Sequence, residues 1–486
     1  MEQSKARYVS GILLSAGANV AGMGASLVTI MVAARLLSKD DLGAFFLVMV
    51  VVQFVALMSD LGLKNTAIKT LSSLLPQSAE FVQTARYVLT VAIASSVVAC
   101  FALWLVMPLL KWLWPYESFH SQFLYAVPVA FLTVVLQVVT SLLVGAKELK
   151  RLAALSAGIE VLRAMLSTSA LVVGCGVNSL FWGMILSRVV GIGAIWAAMP
   201  TLFRVTLQYP HKADLFKVGG WLYGGSLMSM LIVRCSDLIL TTYMGTAALA
   251  IYSAAMQIPT TMQRVFESMR PALLGYVAAY QDTHRGQQVE AVRIVTAALA
   301  VTTTVLMALS GVLMDLLYSE RYQDGVPIMQ ALSVWMTFAI VNYFYSIILI
   351  GTGKPKESFL MTVPQLIVMF ISTLLLVPRY AGYGSAIALV ITAFLGNIVA
   401  AKIVAADDRE TWHALVVNLL RAAIPLTLFL IISVYVKLSF FSLICLSGAT
   451  LALLTILKVV TTKDISALRQ AVWEMKGHLS VRPTPG

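Results

Sequence analysis

The chain has 486 residues, of which 59% are hydrophobic and 12% charged, with a mean hydropathy of +0.88 and a formal net charge of +12. That composition excludes a soluble globular domain of this size and fits a membrane protein with many spans. The positive charge does not point to nucleic acid either, because lysines and arginines recur in small groups between apolar runs instead of forming one patch.

The first apolar run, 8–34, is too long for the core of a signal peptide and lacks a convincing cleavage site, so it is expected to remain as a helix. Runs long enough to cross about 30 Å of hydrocarbon, roughly 20 residues each, can be counted fourteen times along the chain. Basic residues collect in alternate connections. They precede the first run (Lys5, Arg7) and follow the second (Lys64, Lys69), fourth (Lys147, Lys150, Arg151), sixth (Arg204, Lys212, Lys217) and tenth (Lys354, Lys356). The opposite connections hold fewer, among them Arg35, Lys39 and Lys111. Both termini are therefore expected on the cytoplasmic side. Trp112, Trp114 and Tyr116 fall where an anchor at the outer interface belongs. Pro128, Pro259, Pro327 and Pro364 are candidate breaks at which helices bend.

An internal repeat runs through the chain at a nearly constant offset of 206–207 residues. Leu42-Gly43-Ala44-Phe45 matches Leu249-Ala250-Ile251-Tyr252, Leu142-Leu143-Val144-Gly145 matches Ile348-Leu349-Ile350-Gly351, and Asp60 and Arg86 fall opposite Glu267 and Arg293. Such a period covers six helices, an even number, so the two copies enter the membrane in the same direction. A parallel repeat about an axis along the membrane normal follows, with a binding site between the halves. The expected fold is all-α and integral to the membrane: a first lobe over 1–210, a second over 211–410, two extra helices over 411–460 and a polar tail over 461–486.

The stretch from Val218 to Tyr280 carries the most information. It reads as two apolar helices, roughly Leu215–Met244 and Ala248–Tyr280, joined by a turn at Gly245. Arg234 and Asp237 lie in the first, and Arg264, Glu267 and Arg270 in the second. An ionisable group at bilayer depth costs roughly 2.5–3.5 kcal/mol on insertion scales, so it faces a protein-lined or watery interior. Glu160 and Arg163 in the fifth run have the same three-residue spacing, which also suits local ion pairs that neutralise a helix for insertion. Arg188 has no acidic neighbour in its own helix. The basic groups Arg163, Arg188, Arg234, Arg264 and Arg270 outnumber Glu160, Asp237 and Glu267, and a guanidinium excess suits a diphosphate or other anionic headgroup. Asp60, Arg86 and Arg293 lie nearer the helix ends and read as gate, packing or ion-coupling groups.

No GxxxxGK[ST] loop, HExxH or nucleophile elbow occurs, and the five histidines lie outside the apolar runs. Catalysis, a cofactor and a metal are therefore not expected.

Ala34-Arg35-Leu36-Leu37-Ser38-Lys39-Asp40-Asp41-Leu42-Gly43-Ala44-Phe45, Ser59-Asp60-Leu61-Gly62-Leu63, Arg234-Cys235-Ser236-Asp237 and Gly351-Thr352-Gly353-Lys354-Pro355 resemble landmarks of the bacterial polysaccharide transporters. These are the oligosaccharide flippases of the multidrug/oligosaccharidyl-lipid/polysaccharide (MOP) exporter superfamily. The resemblance implies two six-helix lobes in a V that open alternately to either side of the bacterial inner membrane. It implies a cargo of undecaprenyl-diphosphate-linked oligosaccharide, an O-antigen or exopolysaccharide unit, carried from the cytoplasmic to the periplasmic leaflet. A drug or cation antiporter of the same superfamily is the alternative, with Asp60, Asp237 or Glu160 as its ion site. The partners expected are the lipid-linked cargo, membrane lipid and other polysaccharide-assembly proteins, with the chain acting as a monomer. Lipid II flippases have a basic residue in the first helix. Here 8–34 offers only Asn19, which weighs against lipid II as the cargo.

Overall fold

A computed structural model of the chain describes residues 17, 21–74, 78–146, 148–200, 206, 212–267, 285–406, 408–435, 440–457 and 459. Arg270, Asn19 and the tail over 461–486 lie outside them. Among the described residues there are helices and no strands. Hydrocarbon offers the backbone no hydrogen bonds, and an α-helix satisfies its N–H and C=O groups within one segment. The order is α1 (Ala21–Leu36), α2 (Lys39–Asp60), α3 (Leu63–Ser73), α4 (Ala79–Leu113), α5 (Glu117–Gln122), α6 (Ala126–Gly145), α7 (Leu149–Val172) and α8 (Asn178–Ala198). It continues with α9 (Lys212–Glu267), α10 (Arg285–Tyr318), α11 (Val326–Gly351), α12 (Pro355–Leu360), α13 (Thr362–Ala405), α14 (Arg409–Tyr435) and α15 (Phe440–Ile456).

Two of these helices are hairpins. A straight α9 of 56 residues would run about 84 Å at 1.5 Å per residue, far more than a bilayer needs. It breaks at Gly245 (φ 84, ψ 178), a backbone conformation that L side chains avoid. The hydroxyls of Ser236 and Tyr252 then come within 3.3 Å, although a straight helix would hold these residues about 24 Å apart. α13 turns in the same way at Ala381 (φ 48, ψ −131), bringing the Thr392 hydroxyl to the Met369 sulfur at 3.4 Å. Ten helices among the described residues are long and apolar enough to cross a membrane, and Ala21–Leu36 and Ser442–Ile456 are shorter apolar ones. With the two hairpins counted as double crossings, the fourteen runs of the sequence are accounted for.

The architecture is an all-α membrane fold of two six-helix lobes, α1–α8 and α9–α13, with α14 and α15 appended against α10. Within the first lobe α7 packs on α8, and α6 packs on α3 and α4. In the second, α13 packs on α9 and α11, and α10 on α11. The lobes meet chiefly where α2 lies against α9, and α9 also touches α3. One apolar core passes through both lobes, joining Phe45 and Phe181 to Tyr252 and Trp335. Two further cores each stay within one lobe: Leu71, Phe81 and Val138 in the first, and Val292, Phe344 and Ala401 in the second. The lobes thus share one core and each keeps a core of its own, while α3, beyond the Asp60 end of α2, still touches α9. Of the four proline breaks, only Pro259 is interior to a helix. Pro128, Pro327 and Pro364 fall in the first turns of α6, α11 and α13, where a missing N–H costs nothing.

Candidate substrate-binding site

At the joined end, corresponding turns of the two lobes touch. Ser38 caps α2 by accepting from the Asp41 N–H at 3.0 Å. This holds Asp40 where the Thr246 hydroxyl, next to the Gly245 break, donates to its carboxylate at 2.8 Å. Gly43 lies so close to the same turn that an added Cβ would stand 1.8 Å from the Thr246 carbonyl oxygen. The Trp114 indole donates to the Thr242 hydroxyl at 3.0 Å, and the Tyr116 phenol to the Thr241 carbonyl at 2.9 Å. Burial, and next the Asp40 charge, hold the Tyr116 phenol above its ordinary pKa, so it remains a neutral donor. Arg35 donates to the Leu316 carbonyl, and the Lys39 ammonium stands over the Tyr322 ring, 5.7 Å from its centroid. The reading of all three aromatic residues at 112–116 as interface anchors is corrected here. Trp112 is exposed as an anchor would be, but Trp114 is buried, and it and Tyr116 fasten lobe to lobe. A buried indole N–H or phenol O–H usually finds a hydrogen-bond partner, and here both find it on the other lobe.

Further into the V, arginines from three helices reach similar depth. Helix rise places Arg163 about 14 Å from the Val172 end of α7, Arg188 about 15 Å from the start of α8, and Arg234 about 16 Å before Gly245. Arg264 lies about 28 Å beyond that turn along its own arm, nearer the open end than the sequence reading had it.

Two of the four are paired. Arg163 donates to Glu160 through Nε at 2.9 Å and a terminal nitrogen at 2.6 Å, with the arginine side chain 9% and the glutamate 42% exposed. Arg234 donates to Asp237 at 2.7 Å and, through Nε, to Gln53 of the first lobe at 2.9 Å. In that pair the exposure is reversed, 22% for Arg234 and 2% for Asp237, so the guanidinium faces the space between the lobes. Among the described residues Arg188 reaches only the Val129 carbonyl, at 3.4 Å. Arg264 has no hydrogen-bond or ion-pair partner among the described residues.

The Arg264 side chain is exposed, yet it feels the charges of Arg234 and Glu267 on its own hairpin and of Glu160 and Arg163 on α7. Arg264 is thus accessible and within electrostatic reach of charges on both lobes. Arg188 in turn feels Arg163 and Glu160. Thus Arg163, Arg188, Arg234, Arg264, Glu160, Asp237 and Glu267 belong to one electrostatic neighbourhood shared by α7, α8 and α9. Glu267 accepts from Gln263 at 3.0 Å.

The hydrogen bonds seen for Asp60 and Arg293 are local, although the Asp60 charge is also felt by Tyr223 of the second lobe. Asp60 is buried at the end of α2, accepts from the Lys64 N–H at 3.0 Å and so starts α3, after a reversal through Leu61 (φ 46) and Gly62 (φ 79). Arg293 bonds Glu290 on its own helix, through Nε at 3.1 Å. Arg86 is half-buried on α4. Gln53 went unnoticed in the sequence. Its signal was an amide within the apolar run of α2.

With this geometry in hand, the likeness to known proteins can be read. The pattern of the polysaccharide biosynthesis protein family matches residues 32–327, more than half of the chain. The chain belongs to that family. No curated protein sequence matches it. Among solved structures it is similar to the lipid II flippase MurJ in an inward closed conformation (TM-score 0.69, 12% identity), over 94% of this chain and 99% of that one. It is also similar to a variant of the Vibrio cholerae MATE transporter VcmN (0.60, 16%), over 85% and 100% of the two chains. A third likeness is to a MOP-superfamily transporter from Pyrococcus furiosus (0.59, 17%), over 83% and 96%. At such identities the likeness is one of fold. This member of the polysaccharide biosynthesis family therefore has the V-shaped MOP fold that its sequence landmarks implied.

Proposed function

We propose that the protein moves an undecaprenyl-diphosphate-linked oligosaccharide, the repeat unit of an O-antigen or exopolysaccharide, from the cytoplasmic to the periplasmic leaflet of the bacterial inner membrane by alternating access. The observation that carries this reading is the pair Arg188 and Arg264, two guanidinium groups without a carboxylate contact among the described residues, one from each lobe. An unpaired cation in a membrane interior is costly, and a diphosphate bound between the lobes would supply the missing partner through charge-assisted hydrogen bonds. The family to which the chain belongs and the basic residues of alternate connections support the same reading. That charge pattern orients both termini to the cytoplasm and the turns at Asp40 and Thr246 to the periplasm. The seam at those turns then lies on the periplasmic side. Lipid and other polysaccharide-assembly proteins are the partners this reading calls for.

The test replaces Arg163, Arg188, Arg234 and Arg264 singly by Ala in cells that depend on the chain for surface polysaccharide. One lost charge-assisted contact of about 1.5–3 kcal/mol weakens headgroup binding roughly 10- to 100-fold. Surface polymer should fall most for Arg188→Ala and Arg264→Ala, and normal polymer in all four strains would overturn the headgroup role.

One observation favours a second reading, drug or cation export. Oδ1 of Asp237 is buried and has no partner among the described residues, which would suit a coupling ion. That reading requires drug resistance on overexpression that Asp237→Asn removes, and the flippase reading requires none.

A further inference from the structure

A cavity of about 380 Å³ opens inside the second lobe, bounded by both arms of α9 and by α11, α12 and α13. Its size falls within the range of small-molecule sites, about 300–1,000 Å³. Its wall differs in kind from the arginine cluster. Serine and threonine hydroxyls and the amides of Gln263, Asn342 and Gln365 alternate with the rings of Trp221 and Phe359, and Glu267 is the one charged side chain on it among the described residues.

We propose that this cavity binds neutral sugar residues, namely the glycan portion of the cargo whose charged end the arginines hold; the inference rests on the function proposed above. A sugar ring offers apolar C–H faces to an aromatic surface and hydroxyls that both donate and accept. Amides and hydroxyls answer in both senses. A phosphate would instead meet the Glu267 carboxylate on the wall itself, with the Lys356 and Arg264 cations standing beside the wall.

Several details favour a built site. Trp221 is 43% exposed at the wall of the cavity and packs on Phe359, with centroids 5.5 Å apart. Phe359 is seated against Gly224, where an added Cβ would lie 3.0 Å from the ring, so the aromatic platform is held in place. The amide nitrogen of Asn342 has no hydrogen-bond partner among the described residues. Gln365 donates to the Met361 carbonyl at 3.0 Å, which leaves its Oε1 to accept from a ligand. A buried amide donor without a partner is costly, and a hydroxyl of a bound ligand would satisfy it. The Lys356 ammonium, 5.9 Å from the centre of the Trp221 ring, and Arg264 next to the wall offset Glu267, so an organic cation is a poorer match.

The cavity also adjoins the cation cluster. Gln263 and Glu267 in its wall bracket Arg264 on α9, within about 6 Å of helix rise. A diphosphate at Arg264 would deliver the attached sugars to this opening.

The experiment uses the full chain in detergent micelles. Saturation-transfer NMR reads binding of maltose, cellobiose and N,N′-diacetylchitobiose, phosphorus NMR reads inorganic pyrophosphate, and fluorescence reads ethidium as a cation probe. At least one disaccharide should bind, with the signal falling fivefold or more in Trp221→Ala and in Asn342→Ala and retained in Trp221→Phe. Pyrophosphate binding should be unchanged in all three variants. Absence of any disaccharide signal, a signal indifferent to Trp221→Ala and Asn342→Ala, or ethidium binding at Trp221 in place of sugar overturns the inference. If sugars bind at the cavity but pyrophosphate binds nowhere, the inference stands and the diphosphate role of the arginines falls.

Discussion

Where the lobes meet at Asp40 and Thr246, the polar groups that cross from one to the other find partners at hydrogen-bond distance. Farther into the V the situation reverses: Arg188 has one long contact, and Arg264 has none among the described residues. The first region is a closure made of a few hydrogen bonds, each worth about 0.5–1.5 kcal/mol net, together with close backbone packing. Such a seam holds water out and can still part. The second keeps charge in reserve, which has meaning only if a ligand of opposite charge arrives. A transporter needs both, because the seam must be weaker than the gain from loading or unloading its cargo.

The largest effect should come from making the seam permanent. With the native cysteines removed, Asp40→Cys combined with Thr246→Cys joins side chains whose oxygens now lie 2.8 Å apart. Oxidation should abolish surface polysaccharide and reductant restore it; full output from the oxidised, cross-linked protein would show that the seam does not open. The next effect falls on the paired arginine. Asp237→Ala leaves Arg234 without its ion-pair partner, and breaking a buried pair from one side costs about 3–5 kcal/mol. The folded, monodisperse fraction after a heat challenge should drop sharply, whereas Arg264→Ala should leave it unchanged. Equal losses in the two variants would erase the contrast between paired and reserve charges.

Gly43→Ala probes the seam sterically. Its Cβ would fall 1.8 Å from a backbone oxygen, and overpacking costs about 1–3 kcal/mol. Spin labels on either side of the seam should report a shift toward longer distances. The smallest effect belongs to Thr242→Val, which removes the acceptor for the Trp114 indole. A loss of about 1 kcal/mol should change the ratio of closed to open distances roughly fivefold, with transport retained.

Gly245 shows how much of the fold could be read along the chain. A glycine between two apolar runs, each long enough to cross a membrane, leaves the chain little choice but to turn there. Ala381 does the same work in α13; alanine itself gives no sign of it, but Pro378 before it and Gly384 after it, where a Cβ would lie 2.4 Å from the Leu376 carbonyl oxygen, mark the turn. The charges divide in a similar way. Glu160 with Arg163 and Asp237 with Arg234 were visible as neighbours three apart on a helix, and both pairs form. The meeting of Arg264 with the charges of α7 joins residues about a hundred positions apart, so spacing along the chain holds no trace of it. Trp114 and Tyr116 look like any interfacial aromatic residues until their partners on the other lobe are seen.

The sequence by itself determined that this is a bundle of fourteen apolar crossings with a repeat of six and an excess of arginine within it. Each of those properties is local or periodic, and hydrocarbon enforces it helix by helix. Only the tertiary structure decided where the lobes are fastened together, which arginines have no carboxylate partner among the described residues, and that a polar cavity with the Glu267 carboxylate on its wall opens beside them. Those outcomes depend on how distant helices pack against each other, a balance of close contacts and buried polar groups that no single helix contains.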